Sequence, residues 1–186
     1  MLMNEIIKKD LFRYVGSDCD KLITQLRYFF FTPAFRYIYL FRKTQQARTK
    51  LSRLFWLLWL RHWMLKTGIQ IPYQTRIHEG FRIVHFGHIV INPSVEIGRN
   101  FNIAQGVLIG NSKGKIEGVP TIGDNVCVNA NAIIIGNCKI GNNVLIAPGA
   151  FVNFDVPDNS IVIGNPGKII LRNVSPTDKY IVYPVC

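Results

Sequence analysis

Two histidines, His85 and His88, lie three positions apart in FRIVHFGHIV, a segment of residues 81–90 that is otherwise almost wholly apolar. An imidazole with a pKa near neutrality can accept the proton of a hydroxyl group, so that the oxygen becomes a nucleophile. General-base catalysis of this kind typically contributes about 10²–10⁴ in rate. The alternative is a histidine packed in a wall of core residues, and the two histidines alone do not decide between these interpretations.

The bulk properties of the chain limit its class. Its 186 residues, 48% of them hydrophobic, are enough for one principal domain. The formal net charge is +11, and most of it lies in residues 1–66, which hold 13 Lys and Arg against four Asp and Glu. The four cysteines are scattered and include no Cys-x-x-Cys pair, so we predict neither a zinc ribbon nor a disulfide framework.

The location of the protein is predicted to be cytoplasmic. Scattered cysteines fit a reducing compartment. The first 16 residues contain charges where an export signal needs an apolar core. The apolar run at residues 54–60 has seven residues, far fewer than the roughly 20 that a membrane-spanning helix requires.

From residue 71 onward, aliphatic residues recur at intervals of six, and small or turn-forming residues usually follow them. A period of six is neither the 3.6 of a helix nor the 2 of a single strand. It is typical of short strand-and-turn units that stack into a parallel β-helix, with three six-residue sides in each coil. The aliphatic positions are Ile71, Ile77, Ile83 and Ile89, then Ile91, Ile97, Ile103 and Ile109, then Ile122, Val128, Ile134, Ile140, Ile146 and Val152.

Two irregularities interrupt the repeat. A two-residue slip separates Ile89 from Ile91, directly after His88, and the polar segment GNSKGKIEGVP follows Ile109. We predict that this second segment leaves the β-helix as a loop over residues 110–121. Departures from a solenoid repeat are common places for function, and both histidines lie beside the first one.

Residues 4–66 lack the repeat and are predicted to be helical. One helix begins near Asp20 and ends before Pro33, and others cover residues 34–43 and 49–66. In the last helix an apolar face recurs at intervals of three and four; it comprises Leu51, Leu54, Phe55, Leu58 and Trp59.

The predicted fold is therefore mainly β, a parallel β-helix preceded by an α-helical region. Three parts are expected along the chain. Residues 1–66 form a basic, aromatic-rich helical region, residues 67–172 form the β-helix, and residues 173–186 form a tail.

Three segments carry a family resemblance: IGRNFNIAQGVLIG, PTIGDNVCVNANAIIIGNCKIGNNVLIAPGAFV and DVPDNSIVIGNPGKII. They are similar to the hexapeptide-repeat acyltransferases with a left-handed β-helix. They are especially similar to the serine O-acetyltransferases and to the related O-acetyltransferases of capsule and exopolysaccharide synthesis. The resemblance covers roughly residues 67–172. It implies a homotrimer, in some members paired with a second trimer, whose active sites lie between neighbouring prisms with acetyl-CoA along the groove.

The resemblance also implies roles for single residues. The catalytic histidine of the serine branch aligns with His85, and His88 falls where the family usually has glycine. His88 would line the groove or the acceptor pocket, and a structural role is as plausible. The aspartate that partners the catalytic histidine aligns with Gln70, and the loop residues Asn111 and Glu117 would face the acceptor.

The coenzyme contacts can be carried over in the same way. Ala130 would offer its backbone to the pantetheine arm, and Pro148 and Asn153 match later positions of the groove, although Pro148 has no N–H to donate. Lys168 and Arg172 would meet the 3′-phosphate of CoA as positive charges.

The expected acceptor depends on where the chain departs from the family. The residue before the catalytic histidine is Val84 instead of Asp, and the Arg-His pair that would hold the serine carboxylate aligns with Gly118 and Val119. A sugar hydroxyl of a surface polysaccharide is therefore the expected acceptor. The alternatives are a serine O-acetyltransferase and a catalytically silent trimeric scaffold. No metal is expected, because His78, His85 and His88 lack the spacing of zinc ligands on this fold.

Aromatic and basic residues interleave in residues 21–66, and no Asp or Glu occurs between Asp20 and Glu79. Such helices are typical of a membrane interface, with aromatic rings at headgroup depth and cations on anionic lipid. Peripheral contact with the cytoplasmic face of a membrane is therefore expected. The alternative is that these aromatic residues pack on the first coil or against a second trimer. Nucleic acid is not an expected partner, because no recognised binding motif is present.

Overall fold

The computed structural model describes residues 3–114 and 116–186, and its first part is helical. Asn4 caps the first helix by accepting the N–H of Ile7, and Thr49 caps the last by accepting the N–H of Ser52. Gly68 ends the last helix in the left-handed conformation, with φ of 71°. The helices are Glu5–Val15 (α1), Leu22–Phe31 (α2), Pro33–Gln46 (α3) and Lys50–Thr67 (α4), with a 3₁₀ turn at Gly16–Asp20.

The second part consists of short strands. They are Ile69–Gln70 (β1), Arg76–Ile77 (β2), Arg82–Ile83 (β3), Ile89–Ile91 (β4), Glu96–Ile97 (β5), Asn102–Ile103 (β6), Leu108–Gly110 (β7), Thr121–Ile122 (β8), Cys127–Val128 (β9), Ile133–Ile135 (β10), Lys139–Ile140 (β11), Leu145–Ile146 (β12), Phe151–Val152 (β13), Ser160–Ile163 (β14) and Lys168–Leu171 (β15).

Each strand from β1 to β10 pairs with the strand three places later, so the chain winds around a three-sided prism. The three sheets have the orders β1-β4-β7-β10-β13, β11-β8-β5-β2 and β15-β14-β12-β9-β6-β3. All pairs are parallel except β14 with β15. The predicted fold, a parallel β-helix after an α-helical region, is confirmed.

The repeated aliphatic residues stack inside the prism. Ile83 pairs in register with Ile103, which pairs with Val128, and Ile146 continues the same column. Every aliphatic position of the repeat is at most 5% exposed. Burial of such a side chain contributes about 1.5–3 kcal/mol, so the columns are a main source of cohesion.

One corner of the prism is an asparagine ladder. Asn100, Asn125, Asn143 and Asn159 all have φ between 54° and 57°, a left-handed conformation that asparagine tolerates better than most residues. The side-chain amides of the first three each donate to the side-chain oxygen of the next asparagine at 3.0 Å. The ladder therefore satisfies the polar atoms of the turns while it holds successive coils together.

Both irregularities of the repeat change the coil length. Ile83 pairs with Ile103, twenty positions later, because residues 84–88 enlarge the connection between β3 and β4. The polar segment after β7 leaves the prism, and Ser112 and Gly118 exchange two backbone hydrogen bonds of 3.1 Å at its base. Lys115, within that segment, lies outside the described residues.

The helices and the tail both pack on the prism. The hydroxyl of Tyr37 in α3 donates to the carbonyl of Ile71 at 3.0 Å. The tail returns to the six-stranded sheet, where the Val185 N–H donates to Asn100 Oδ1 at 2.8 Å and Ile181 packs on Cys127. The tail therefore covers part of the outer face of that sheet.

The predicted apolar face of α4 does not pack on the prism. Its five residues are each between 46% and 80% exposed, and α2 also exposes Ile23, Phe30 and Phe31. Within the described residues, no helix combines the length and the hydropathy needed to cross a bilayer.

Candidate active site

His85 lies outside the prism, in the connection between β3 and β4, and its side chain is exposed to solvent. It lines a cleft of about 310 Å³ on the outer face of the six-stranded sheet. The cleft is lined by Arg82, Val84, His85, Asn102, Ala104, Gln105, Cys127, Val128, Asn129, Ala130, Pro148 and Tyr180. An exposed imidazole in a cleft of this size can meet a small acceptor.

The β alternation and the coil register place these side chains. Ile83 points into the prism, so its neighbours Arg82 and Val84 point outward. Because Ile83 pairs with Ile103, Gln105 lies one coil beyond His85. Further coils bring Ala130 and Pro148 to the same cleft. The structure thus brings together the predicted base and two of the predicted coenzyme contacts.

Other predicted site residues lie elsewhere in the chain. Gln70 and Asn111 line a second cleft, of about 430 Å³, beside the five-stranded sheet. The His88 ring packs on Gly68, where an added Cβ would lie 3.0 Å from His88 Cδ2. Within one chain, neither Gln70 nor His88 lines the His85 cleft.

The remaining predicted contacts are solvent-exposed. Glu117 lies in the loop that leaves the prism, and Asn153 follows β13. Lys168 begins β15, and Arg172 follows it, with its N–H donating to the Asn159 carbonyl at 2.9 Å. None of the four lines the His85 cleft, so their predicted roles depend on a ligand that extends beyond it.

Several cleft residues were not predicted from the sequence, among them Arg82, Gln105 and Tyr180. Arg82 could have been found from the strand alternation, and Gln105 from the twenty-residue coil that the slip creates. The Nε of Arg82 and the Oε1 of Gln105 are both buried without a hydrogen-bond partner in the described structure. Tyr180 had no signal, because nothing in the repeat predicts where the tail lies.

The electrostatic character of the cleft is positive. Its lining includes no Asp or Glu among the described residues. Arg13, buried behind it, donates to Asn102 Oδ1 at 2.9 Å, and burial, with the nearby charge of Arg82, lowers the pKa of Arg13 to about 10. Burial raises the pKa of the Cys127 thiol to about 12, so this cysteine is protonated at neutral pH and is no nucleophile.

In the part of the chain that the structure describes, no three His, Cys, Asp or Glu side chains lie together in an arrangement that could hold a metal ion.

Known proteins resemble this chain in sequence and in fold. Residues 120–153 match the model of the bacterial transferase hexapeptide (six repeats). Serine acetyltransferase from Synechococcus elongatus is 40% identical over 119 residues, 61% of this chain and 48% of that protein. The Bacillus subtilis serine acetyltransferase is 38% identical over 109 residues, 58% of this chain and 50% of that protein. The chain spans about half the length of these curated relatives.

The fold is shared along most of the chain. The crystal structure of Neisseria gonorrhoeae serine acetyltransferase in complex with serine matches with a TM-score of 0.71 and 28% sequence identity. The match covers 88% of this chain and 67% of that one, so it includes helices as well as the prism.

These relatives correct the predicted acceptor. The prediction of a sugar hydroxyl in capsule or exopolysaccharide synthesis is wrong, because the similar proteins are serine acetyltransferases. That prediction depended on the family groups missing at Val84, Gly118 and Val119. A missing motif does not show a missing charge, because side chains elsewhere in the fold, such as Arg82, can reach the same cleft. The chain has the left-handed β-helix fold of the serine acetyltransferases, and residues 120–153 match the hexapeptide-repeat model.

Proposed function

We propose that this protein is an acetyl-CoA-dependent O-acetyltransferase that acts on the hydroxyl group of free serine. The observation that carries the proposal is the position of His85, exposed in a cleft that also contains Ala130 and Pro148. The similarity to serine acetyltransferases over more than half of the chain supports the same acceptor.

The proposed reaction needs one general base. A ring nitrogen of His85 accepts the serine hydroxyl proton while the oxygen attacks the thioester carbon of acetyl-CoA. The carbon–sulfur bond then breaks, and the CoA thiolate takes the proton from the imidazolium. The products are O-acetylserine and CoA. Ala130 and Pro148 would lie beside the pantetheine arm, and Lys168 and Arg172 would meet the 3′-phosphate.

A homotrimer is part of the proposal. The outer row of the five-stranded sheet is Gln70, Val90, Leu108, Ile133 and Phe151. Four of the five are apolar, and each is at least partly exposed in the single chain. Packing of this face against the six-stranded side of a neighbour would bring the Gln70 and Asn111 cleft of one chain to the His85 cleft of the next.

The test is an assay of CoA release with acetyl-CoA and free serine, combined with the mass in solution. We expect serine-dependent release of CoA and a mass three times the 21.2 kDa of one chain. Release that does not depend on serine would refute the acceptor. A monomeric mass in the active protein would refute the trimer.

We further propose that the exposed apolar faces of α2 and α4 contact an anionic lipid surface. Residues 21–66 hold ten Lys and Arg and no Asp or Glu. Each Lys or Arg near an anionic lipid surface contributes about 1 kcal/mol of binding free energy. A second copy docked symmetrically on these faces would place like charges opposite each other without an acidic partner in this segment. Charge complementarity therefore favours lipid.

A further inference from the structure

The floor of the His85 cleft contains a guanidinium group that the protein leaves without a counter-ion. Arg82 projects from β3, with its Cζ atom 5.2 Å from the ring centre of Tyr14. Its buried Nε has no hydrogen-bond partner among the described residues. None of the salt bridges in the described chain involves Arg82. A buried donor of this kind is costly unless a ligand satisfies it.

A second arginine, Arg13, lies behind the cleft and also favours a bound anion. Arg13 is fully buried, and its guanidinium donates to the Gly80 carbonyl at 3.0 Å and to Asn102 Oδ1 at 2.9 Å. These partners are neutral, and within the described chain Arg13 forms no salt bridge. Two arginine charges behind a cleft without acidic residues favour a bound carboxylate.

Gln105 offers the complementary group. Its buried Oε1 accepts no hydrogen bond within the described structure. A carbonyl oxygen is an acceptor only, so a ligand that satisfies it must bring an N–H or O–H donor. Gln105 and Arg82 line the same cleft as His85, and Gln105 lies close to the histidine segment, because an added Cβ on Gly87 would be 3.2 Å from Gln105 Cβ.

We propose that the cleft binds its acceptor as a zwitterionic hydroxy amino acid through Arg82 and Gln105. The guanidinium of Arg82 binds the carboxylate, Oε1 of Gln105 accepts from the ammonium, and the hydroxyl group faces His85. These two residues thus replace the Arg-His pair that Gly118 and Val119 do not provide. This inference rests on the proposed function and adds to it the residues that select the acceptor.

The test compares three acceptors in the CoA-release assay. Serine has both charges, ethanolamine lacks the carboxylate, and 3-hydroxypropanoate lacks the ammonium. In Arg82→Met, we expect the ratio of kcat/KM for serine to that for ethanolamine to fall about 10–100-fold, because a hydrogen bond to a charged group contributes about 1.5–3 kcal/mol. Arg82→Lys should recover part of the ratio, since it restores the charge without the planar fork.

Gln105→Leu provides the second arm. It should lower the ratio of serine to 3-hydroxypropanoate about tenfold, while the ratio of serine to ethanolamine stays near that of the unmodified protein. Arg76→Met is the matched control, because Arg76 is an exposed strand arginine on the four-stranded sheet, paired with Glu96 at 2.6 Å. It should change neither ratio.

The outcomes separate this inference from the proposed function. If serine is acetylated but Arg82→Met keeps the serine-to-ethanolamine ratio, the inference is wrong and the function stands. A raised KM for acetyl-CoA with an unchanged acceptor ratio would likewise overturn it, because Arg82 would then bind a CoA phosphate. If serine is not acetylated, calorimetric titration of the protein with serine measures whether serine still binds. Binding that Arg82→Met weakens tenfold or more supports the inference alone, and absence of binding rejects it as well.

Discussion

The carboxylate of Asp10 and the guanidinium of Arg42 form a buried ion pair, with 2.8 Å between Oδ2 and Nε and side-chain exposures of 0% and 1%. Asp10 lies in α1, and its Oδ1 also accepts the Phe81 N–H at 2.8 Å. Arg42 lies in α3 and donates to the carbonyls of Ile77 and His78. The pair therefore ties two helices to the first coil, close to the segment that carries His85.

Removal of one partner should destabilise the protein strongly. Asp10→Ala leaves the Arg42 charge buried without compensation, so we expect the free energy of unfolding to fall by about 3–5 kcal/mol. Urea unfolding at one fixed protein concentration measures this. The control is Asp18→Ala, which removes the exposed pair with Lys21 and should cost less than about 1 kcal/mol. Equal losses in the two variants would contradict the buried role.

The aliphatic column inside the prism should be sensitive to cavities. Ile103 is fully buried between Ile83 and Val128, so Ile103→Ala should lower the free energy of unfolding by about 2–5 kcal/mol. The matched change Val174→Ala removes methyl groups from a side chain that is 73% exposed and should stay within about 0.5 kcal/mol. A loss below 1 kcal/mol in Ile103→Ala would mean that the column is not tightly packed.

His85 should be required for turnover but not for folding. His85→Ala removes the proposed general base, and we expect the rate of CoA release with serine to fall by more than about a hundredfold. Circular dichroism and the solution mass should stay unchanged, because the ring is exposed. His62→Ala, an exposed histidine on α4, is the control. Turnover within a few-fold of the unmodified protein in His85→Ala would reject the assigned role.

The cysteines should differ in reactivity with pH. Burial raises the pKa of Cys127 to about 12 and of Cys138 to about 11, so both are protonated thiols at pH 8, and the thiolate is the reactive form. Exposed Cys186 should be alkylated by iodoacetamide at pH 8 while the other two stay unmodified, as read by mass spectrometry. As long as the pH is below the pKa, the thiolate fraction of Cys127 and Cys138 rises about tenfold for each unit by which the pH increases. Rapid labelling of Cys127 at pH 8 in the folded protein would contradict its burial.

Vesicle binding tests the proposed lipid contact of α2 and α4. Co-sedimentation with vesicles of phosphatidylcholine and phosphatidylglycerol should retain the protein, and phosphatidylcholine alone should retain at least tenfold less. Leu51→Ser with Leu58→Ser should release it, because both side chains are exposed and apolar.

The matched control is Leu171→Ser with Val174→Ser, two equally exposed residues beyond the prism core, which should leave vesicle binding intact. Absence of binding to anionic vesicles would overturn the lipid contact. A solution mass twice that of the trimer, lost only in the variant with Leu51→Ser and Leu58→Ser, would indicate instead that a second copy packs on this face.

Local patterns predicted the elements better than the site. Gly68 and Pro33 marked helix boundaries because left-handed φ and a missing N–H act within the chain's own neighbourhood. The apolar spacing in α4 was found, but spacing could not tell whether that face packs on the prism, and the structure leaves it exposed. The acceptor prediction failed for a similar reason, since it considered only motif positions and not the side chains that folding brings beside them.

The sequence by itself determined the prism and the candidate base. Aliphatic residues that recur every six positions can be buried only if the coils stack on one another. The slip beside His85 marks a connection that leaves the repeat. The places of Arg82 and Gln105 beside that histidine follow from strand alternation and coil register once the prism is known. Tertiary structure alone decided that Tyr180 shares the cleft, because the tail returns to the six-stranded sheet and no short-range spacing encodes that return.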